Sequence, residues 1–186
     1  AAELMISISD NTATDMLIEL VGRQAVEDAV AAAGHHDPSL LRPFLTTREF
    51  FGLIWGDNSD LASEWPTADE AARRVLLNRL FTREFEVGTS DVDQTPRFAD
   101  GFEWFATASD IAEVHEVLRQ RGEQDPVISE VLTINPGIAI DSEVWPSVSF
   151  KGGSSPGVLT GSWDAVGQDG DTLSVVLLLS DPAKAI

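Results

Sequence analysis

Three apolar segments rich in β-branched residues lie close together near the end of this chain, and they constrain its fold more than any other feature. The segments are 148–150, 158–166 and 173–179, and glycine-rich turns at 153–157 and 167–170 separate them. Short segments of this kind joined by such turns predict a three-stranded antiparallel meander. A sheet of this size needs another layer to bury one of its faces, so we expect helices to cover it.

The preceding part of the chain has helical patterning. Ser9 or Asp10 is placed to cap a helix that ends at Gly22, and a second helix is expected over 24–33. Residues 107–121 again have helical spacing. Helical patterning first and strands last predict an α+β fold.

Two further helices are predicted from capping boxes. The box Thr46-Thr47-Arg48-Glu49 precedes one apolar run, and Thr67-Ala68-Asp69-Glu70 precedes another. Residues 82–103 are acidic, contain glycine and proline, and lack a sustained period, which predicts a surface loop.

These patterns predict a single domain over residues 1–186. Residues 1–125 form a mainly helical region with an excursion at about 56–103, and residues 126–186 form the sheet region. The chain opens within a helical pattern and has no initiator methionine, so we expect its true N-terminus to lie upstream.

The net charge of −19 argues against nucleic acid as a partner, because a polyanion would be repelled. The chain has no cysteine, which excludes disulfides and thiolate metal sites. No apolar run is long enough to predict a membrane span. The cellular compartment stays open.

Lys151 is one of only two lysines, and it follows the apolar strand residues 148–150. Its ammonium can hold a substrate carboxylate or lower the pKa of a nearby hydroxyl. Gly152 and Gly153 would let a substrate lie along the strand edge. The alternative is a hairpin that needs glycine for its turn and a lysine that protects an edge strand.

Ser9-Asp10-Asn11 also has an ordinary explanation, because these three residue types are common helix caps. The order and context of the two motifs make them informative together. One precedes an amphipathic helix, and the other ends a strand. Such a pair supplies a hydroxyl, an amide, an ammonium and bare backbone, which are the groups that surround the nucleophile of a serine acyl-transfer site.

The pair resembles the S-D-N and K-T-G motifs of class A β-lactamases and penicillin-binding proteins. Residues 5–17, 105–112 and 151–158 resemble the corresponding family segments, so the resemblance covers nearly the whole chain. The spacing between the two motifs looks longer than in compact class A enzymes, with the extra residues around 56–103. This length and the K-G-G form of the second motif are more similar to the β-lactamase-like esterase of clavulanic-acid biosynthesis. The resemblance implies a β-lactamase-like, DD-peptidase/transpeptidase-like fold and a serine hydrolase.

The resemblance also implies roles for individual residues. Ser9 would shuttle a proton to the leaving group, and Lys151 would polarise Ser9 and attract a substrate carboxylate. Asn11 would bind the polar substituent of the acyl group, and Asp10 would fix the loop. The backbone N–H of Ser154 would form half of the oxyanion hole, with Gly152 and Gly153 lining the substrate edge.

Three departures from the family pattern limit this interpretation. No S-x-x-K motif exists, because Val148 and Asp181 stand three residues before the two lysines. Gly152 replaces a hydroxyl residue, and no arginine lies within residues 158–179. No glutamate matches the deacylating base, since the capping box already explains Glu49.

We therefore expect the nucleophilic serine to come from upstream residues of the same protein, which also complete the fold. The expected substrate is an ester or a β-lactam, no cofactor is expected, and this chain alone would be inactive. The alternative is a catalytically degenerate binding or structural module.

A metal site is not predicted. His35, His36 and Asp37 are adjacent, but the two histidines are expected to diverge, and the sequence indicates no third ligand from elsewhere.

Overall fold

A computed structural model describes residues 1–88 and 92–183. In these ranges the chain forms eight α-helices and three β-strands, with short 3₁₀ turns at Pro38–Leu41, Trp65–Thr67 and Phe98–Asp100. The helices are α1 Ala2–Ser7, α2 Asn11–Val21, α3 Arg23–Ala32, α4 Thr47–Ile54, α5 Ser59–Glu64, α6 Glu70–Phe81, α7 Ala108–Gln124 and α8 Pro126–Leu132. The strands are β1 Ser147–Ser155, β2 Val158–Val166 and β3 Thr172–Ser180.

The helix starts follow their caps. Asp10 caps α2 by accepting a hydrogen bond of 2.6 Å from the Ala13 N–H, and Gly22 ends the helix with a φ of 85°. At α4 both halves of the predicted capping box are present, between Thr46 and Glu49. These local contacts need only the residues on either side of the helix end, so the sequence was sufficient to predict them.

The predicted capping box at residues 67–70 is wrong. Trp65, Pro66 and Thr67 form a 3₁₀ turn, and the cap of α6 is Asp69, which accepts from the Ala72 N–H at 2.8 Å. The proline favours the turn over an extended N-cap conformation at this point. The helix therefore starts at Glu70.

The main hydrophobic core lies in the helical part, between α4, α5 and α6. It also includes Phe102, which is fully buried, so the described part of the segment 82–103 is not only a surface loop, while residues 89–91 lie outside the described residues. Residues 56–103 contain two of the three core helices and are a structural part of the domain rather than a peripheral excursion. The buried residues of this core are Leu45, Phe50, Leu53, Leu61, Ala62, Trp65, Leu76, Leu77, Leu80 and Phe102.

The predicted meander is confirmed, with strand order β1-β2-β3 and antiparallel pairing throughout. Strand β1 is longer than predicted, because pairing with β2 continues through the glycines to Ser155, and only Pro156 and Gly157 form the turn. The region from residue 126 also begins with a helix, α8, which Asp125 caps and Pro126 starts. The fold class is α+β, as expected.

Helix α7 packs against β2 and β3, and α8 contacts β1, so the helices cover one face of the sheet. The other face is only partly covered. Four alternate residues of β3 share it and are 43% to 48% exposed, namely Leu173, Val175, Leu177 and Leu179. No helix in the described ranges has the length and apolar character that a membrane crossing requires.

Candidate active site

The two motifs meet in space although Ser9 and Lys151 are 142 residues apart in sequence. Lys151 Nζ donates a hydrogen bond of 2.5 Å to Ser9 Oγ. The same ammonium donates to the Gly152 carbonyl at 2.6 Å. An ammonium in direct contact with a hydroxyl favours the alkoxide form and can pass a proton through it.

Ser9 lies at the junction of α1 and α2 in a left-handed conformation, with a φ of 54°. Non-glycine residues seldom adopt this conformation, and strained residues of this kind cluster at functional sites. The Asp10 cap holds one side of the junction. On the other side, Asn135 Nδ2 donates to the Ser7 carbonyl at 2.7 Å. The hydroxyl is therefore positioned by contacts on both sides.

Lys151 is half-buried in the middle of β1, opposite Ser162 of β2. Burial lowers the pKa of Lys151 below its ordinary value. A lower pKa makes the ammonium a better proton donor to a leaving group. The backbone of this strand is fixed further by Ser162 Oγ, which donates to the Lys151 carbonyl at 3.2 Å.

The residues after Lys151 lie along an edge of the described sheet, because β1 pairs with β2 on one side only. Gly153 and Ser154 are exposed there. An edge strand offers unpaired backbone groups to an extended ligand. Packing also favours glycine at position 152, because a Cβ there would lie only 2.8 Å from the Phe150 ring.

Asn11 begins α2 and is exposed. It lines a cavity between α2 and α4, together with Asp15 and Arg48, whereas Lys151 lines a different cavity. The Asp10 carboxylate caps its own helix. The structure therefore brings Ser9 and Lys151 together and leaves Asn11 beside a separate cavity.

The cavity that Lys151 lines has a volume of about 500 Å³ and lies between α7 and the helix-covered face of the sheet. Its walls are mainly apolar, and the polar groups include Lys151, Glu103 and His115. Large apolar pockets with a few converging polar groups are the usual form of a small-molecule site.

Glu103 was not identified from the sequence. Its carboxylate accepts a short hydrogen bond from Ser155 Oγ at the end of β1. Burial raises the pKa of Glu103, while this hydrogen bond opposes the rise. The Ser155 hydroxyl thus already has a hydrogen-bond partner. The sequence carries no local signal for this pair, because 52 residues separate its members.

Structural contacts explain Glu49 without a catalytic role. Its carboxylate completes the α4 capping box and forms an ion pair of 2.6 Å with Arg23 Nη2. These contacts account for the residue structurally, as the capping pattern indicated.

Comparison with protein-family models matches the beta-lactamase enzyme family over residues 1–126. The match covers more than half of the chain. The chain belongs to the beta-lactamase enzyme family. A search of curated proteins gave no match.

The part of this beta-lactamase family chain that the match covers includes Ser9-Asp10-Asn11 and ends before Lys151. The resemblance inferred from the motifs is therefore confirmed at the level of the family. Family membership supports a serine β-lactamase-like fold and a hydrolase function, while the roles of individual site residues rest on the geometry above.

Asp10→Ala tests whether the cap also positions Ser9 in this beta-lactamase family protein. We expect a loss of about 1 kcal/mol in the free energy of unfolding, because the Ala13 N–H loses its acceptor, together with reduced hydrolysis. Urea unfolding measures the first effect, and hydrolysis by the protein with its upstream residues measures the second. Asp69→Ala is the matched control, since it removes an equivalent cap from α6. Equal activity in the two variants would contradict a positioning role for Asp10.

Proposed function

We propose that this chain is the C-terminal part of a serine hydrolase that acts through an acyl-serine on an ester or a β-lactam. The nucleophilic serine comes from residues outside this chain. The observation that carries the proposal is the contact between Lys151 Nζ and Ser9 Oγ, which joins the two family-like motifs.

In the proposed mechanism the external serine Oγ attacks the substrate carbonyl, and the C–O or C–N bond to the leaving group then breaks. Ser9 donates its proton to the leaving oxygen or nitrogen and is reprotonated by the Lys151 ammonium, which recovers its proton from the hydroxyl of the attacking external serine. Water then attacks the acyl-serine and releases the acid. Lys151 also attracts a substrate carboxylate.

The substrate would lie along the free edge of β1, with its acyl oxygen on the Ser154 N–H and its backbone-like groups against Gly152 and Gly153. Asn11 would have to turn toward this edge to bind the acyl substituent. Its position at the first turn of an exposed helix end is compatible with such a turn.

Two observations support a nucleophile from outside the chain. The chain has no S-x-x-K motif, since Val148 and Asp181 precede its two lysines by three residues. In addition, the exposed apolar face of β3 leaves surface that further polypeptide would bury. Lys184 itself lies outside the described residues.

The test is covalent labelling of the protein that includes the residues upstream of Ala1. We expect a fluorescent penicillin or an activated ester to form an adduct with a serine upstream of this chain, identified by mass spectrometry. The 186-residue chain alone is expected to form none, because its proton-transfer groups cannot replace a nucleophile. Absence of both adduct and turnover in the longer protein, or an adduct on Ser9, would overturn the proposal.

A degenerate binding module is the second candidate, and Gly152 favours it because this residue lacks the hydroxyl that would hold a substrate carboxylate. Such a module would bind a penicillin reversibly without an adduct or turnover. Alanine at Ser9 or Lys151 would then leave turnover at the uncatalysed rate.

A further inference from the structure

His35 and His36 do not diverge as the sequence suggested. Their rings stack with centroids 5.0 Å apart and an angle of 20° between the ring planes. Both rings turn toward Asp110 in the first turn of α7, which is 74 residues away from His36 in sequence. The structure thus supplies the third potential ligand that the sequence did not indicate.

The three side chains form a compact donor set. One ligand atom from each lies within 4.8 Å of the others. His36 Nδ1 is 2.7 Å from Asp110 Oδ2, and His35 Nε2 is 3.9 Å from the same oxygen. The carbonyl oxygen of Phe105 is 2.8 Å from His35 Nε2 and offers a fourth donor.

Two side chains of the cluster are buried, and the third is exposed to solvent. The His35 and Asp110 side chains are only 6% and 5% exposed, whereas the His36 side chain is 48% exposed. An ion can therefore reach the cluster past His36, while the two buried groups hold their positions. The cluster is separate from the Ser9–Lys151 contact and has no part in the proposed acyl transfer.

We propose that His35, His36 and Asp110 bind one divalent transition-metal ion, with Zn²⁺ as the best match. Two imidazole nitrogens and one carboxylate, with a further position for a carbonyl or water, form a donor set that Zn²⁺ uses. Mg²⁺ and Ca²⁺ prefer oxygen ligands alone and fit these donors poorly.

The carboxylate is held in place independently of the ion. Thr107 N–H and Thr107 Oγ1 donate to Asp110 Oδ2 at 2.6 and 2.8 Å, and the His36 N–H donates to Oδ1 at 2.7 Å. Such hydrogen bonds orient a metal-binding carboxylate and reduce the reorganisation that binding needs.

Binding replaces two hydrogens in the cluster. The ion takes the place of the hydrogen between His36 Nδ1 and Asp110, and that hydrogen moves to Nε2 of the same ring. At His35 the ion displaces the Nε2 hydrogen that now points to the Phe105 carbonyl. The hydrogen moves to Nδ1, so the contact of 3.1 Å from the Asp37 N–H must open. The ion would then tie the 35–37 loop to the start of α7.

The test is a metal titration of the protein, including its natural upstream residues, after treatment with a chelator. We expect Zn²⁺ to bind with a calorimetric stoichiometry of one and to raise the melting temperature, because binding favours the folded state. Co²⁺ should give the visible absorption of a nitrogen- and oxygen-ligated ion. Mg²⁺ should produce neither effect.

His36→Ala is the decisive variant, because the exposed side chain can be removed without opening the core. We expect it to lower Zn²⁺ affinity by at least ~10-fold. His115→Gln is the matched control, since this third histidine of the chain lies outside the cluster. The proposal is overturned if Zn²⁺ does not bind saturably, or if His36→Ala binds it as tightly as the unaltered protein.

Discussion

Lys151→Met in the protein with its upstream residues is expected to lower kcat/KM for an activated ester by about 10³-fold. Methionine keeps much of the apolar stem of lysine but has no ammonium to donate to Ser9 Oγ. The lost charge removes both the proton path through Ser9 and the attraction for a substrate carboxylate. Steady-state kinetics on an ester with a carboxylate and one without it separate these two effects.

The Ser9 hydroxyl should act as a unit with Lys151. We expect Ser9→Ala to reduce kcat/KM by a similar factor, and the double variant to lose little more than the worse single variant, because the two changes remove one shared contact. Ser9→Gly should lose as much activity although glycine relieves the positive φ, so the loss would reflect the hydroxyl and not strain.

Ser7→Ala is the matched control for these variants. Ser7 lies two residues before Ser9, and its hydroxyl donates to the Glu3 carbonyl within α1 instead of contacting Lys151. The kcat/KM of the Ser7→Ala variant should stay within about twofold of that of the unaltered protein, because a surface change of this kind alters stability by only a few tenths of a kcal/mol. If the fold-losses in kcat/KM of the two single variants multiply in full in the Ser9 and Lys151 double variant, the shared proton path is contradicted.

Glu27→Ala is expected to have the largest effect on stability, a loss of about 3 kcal/mol in the free energy of unfolding. Glu27 is only 1% exposed. Its carboxylate accepts from the Phe44 N–H at 3.0 Å and from Arg74 Nη2 at 2.6 Å. Removal leaves both donors without this acceptor and opens a cavity between α3 and α6. Urea unfolding measures the change.

Glu70→Ala is the control for this variant because it removes the other carboxylate that pairs with Arg74. Glu70 is exposed and forms an i,i+4 pair, so its loss should cost only about 0.5 kcal/mol. Glu27→Gln should fall between the two, since the amide oxygen can still accept from Phe44. Equal losses for Glu27→Ala and Glu70→Ala would show that burial does not control the strength of this contact.

Local patterns predicted much of the fold. The cap of α2, the capping box of α4 and the three strands depend on contacts within a few residues or on strand alternation, and each is present. Two predictions of element ends were wrong because a neighbouring turn or strand changed the local structure. The 3₁₀ turn at Pro66 moved the α6 cap to Asp69, and pairing with β2 extended β1 beyond its glycines.

The sequence by itself determined the family, the α+β class and the two motifs, because their residue types and order are written in the chain. Only the tertiary structure decided that Ser9 meets Lys151, that Glu103 meets Ser155 and that Asp110 faces His35 and His36. These contacts join segments between 52 and 142 residues apart in sequence. Contacts between residues so far apart in sequence leave no local pattern in the chain. They form because α7 packs against the sheet and because α1 and α2 meet at their junction.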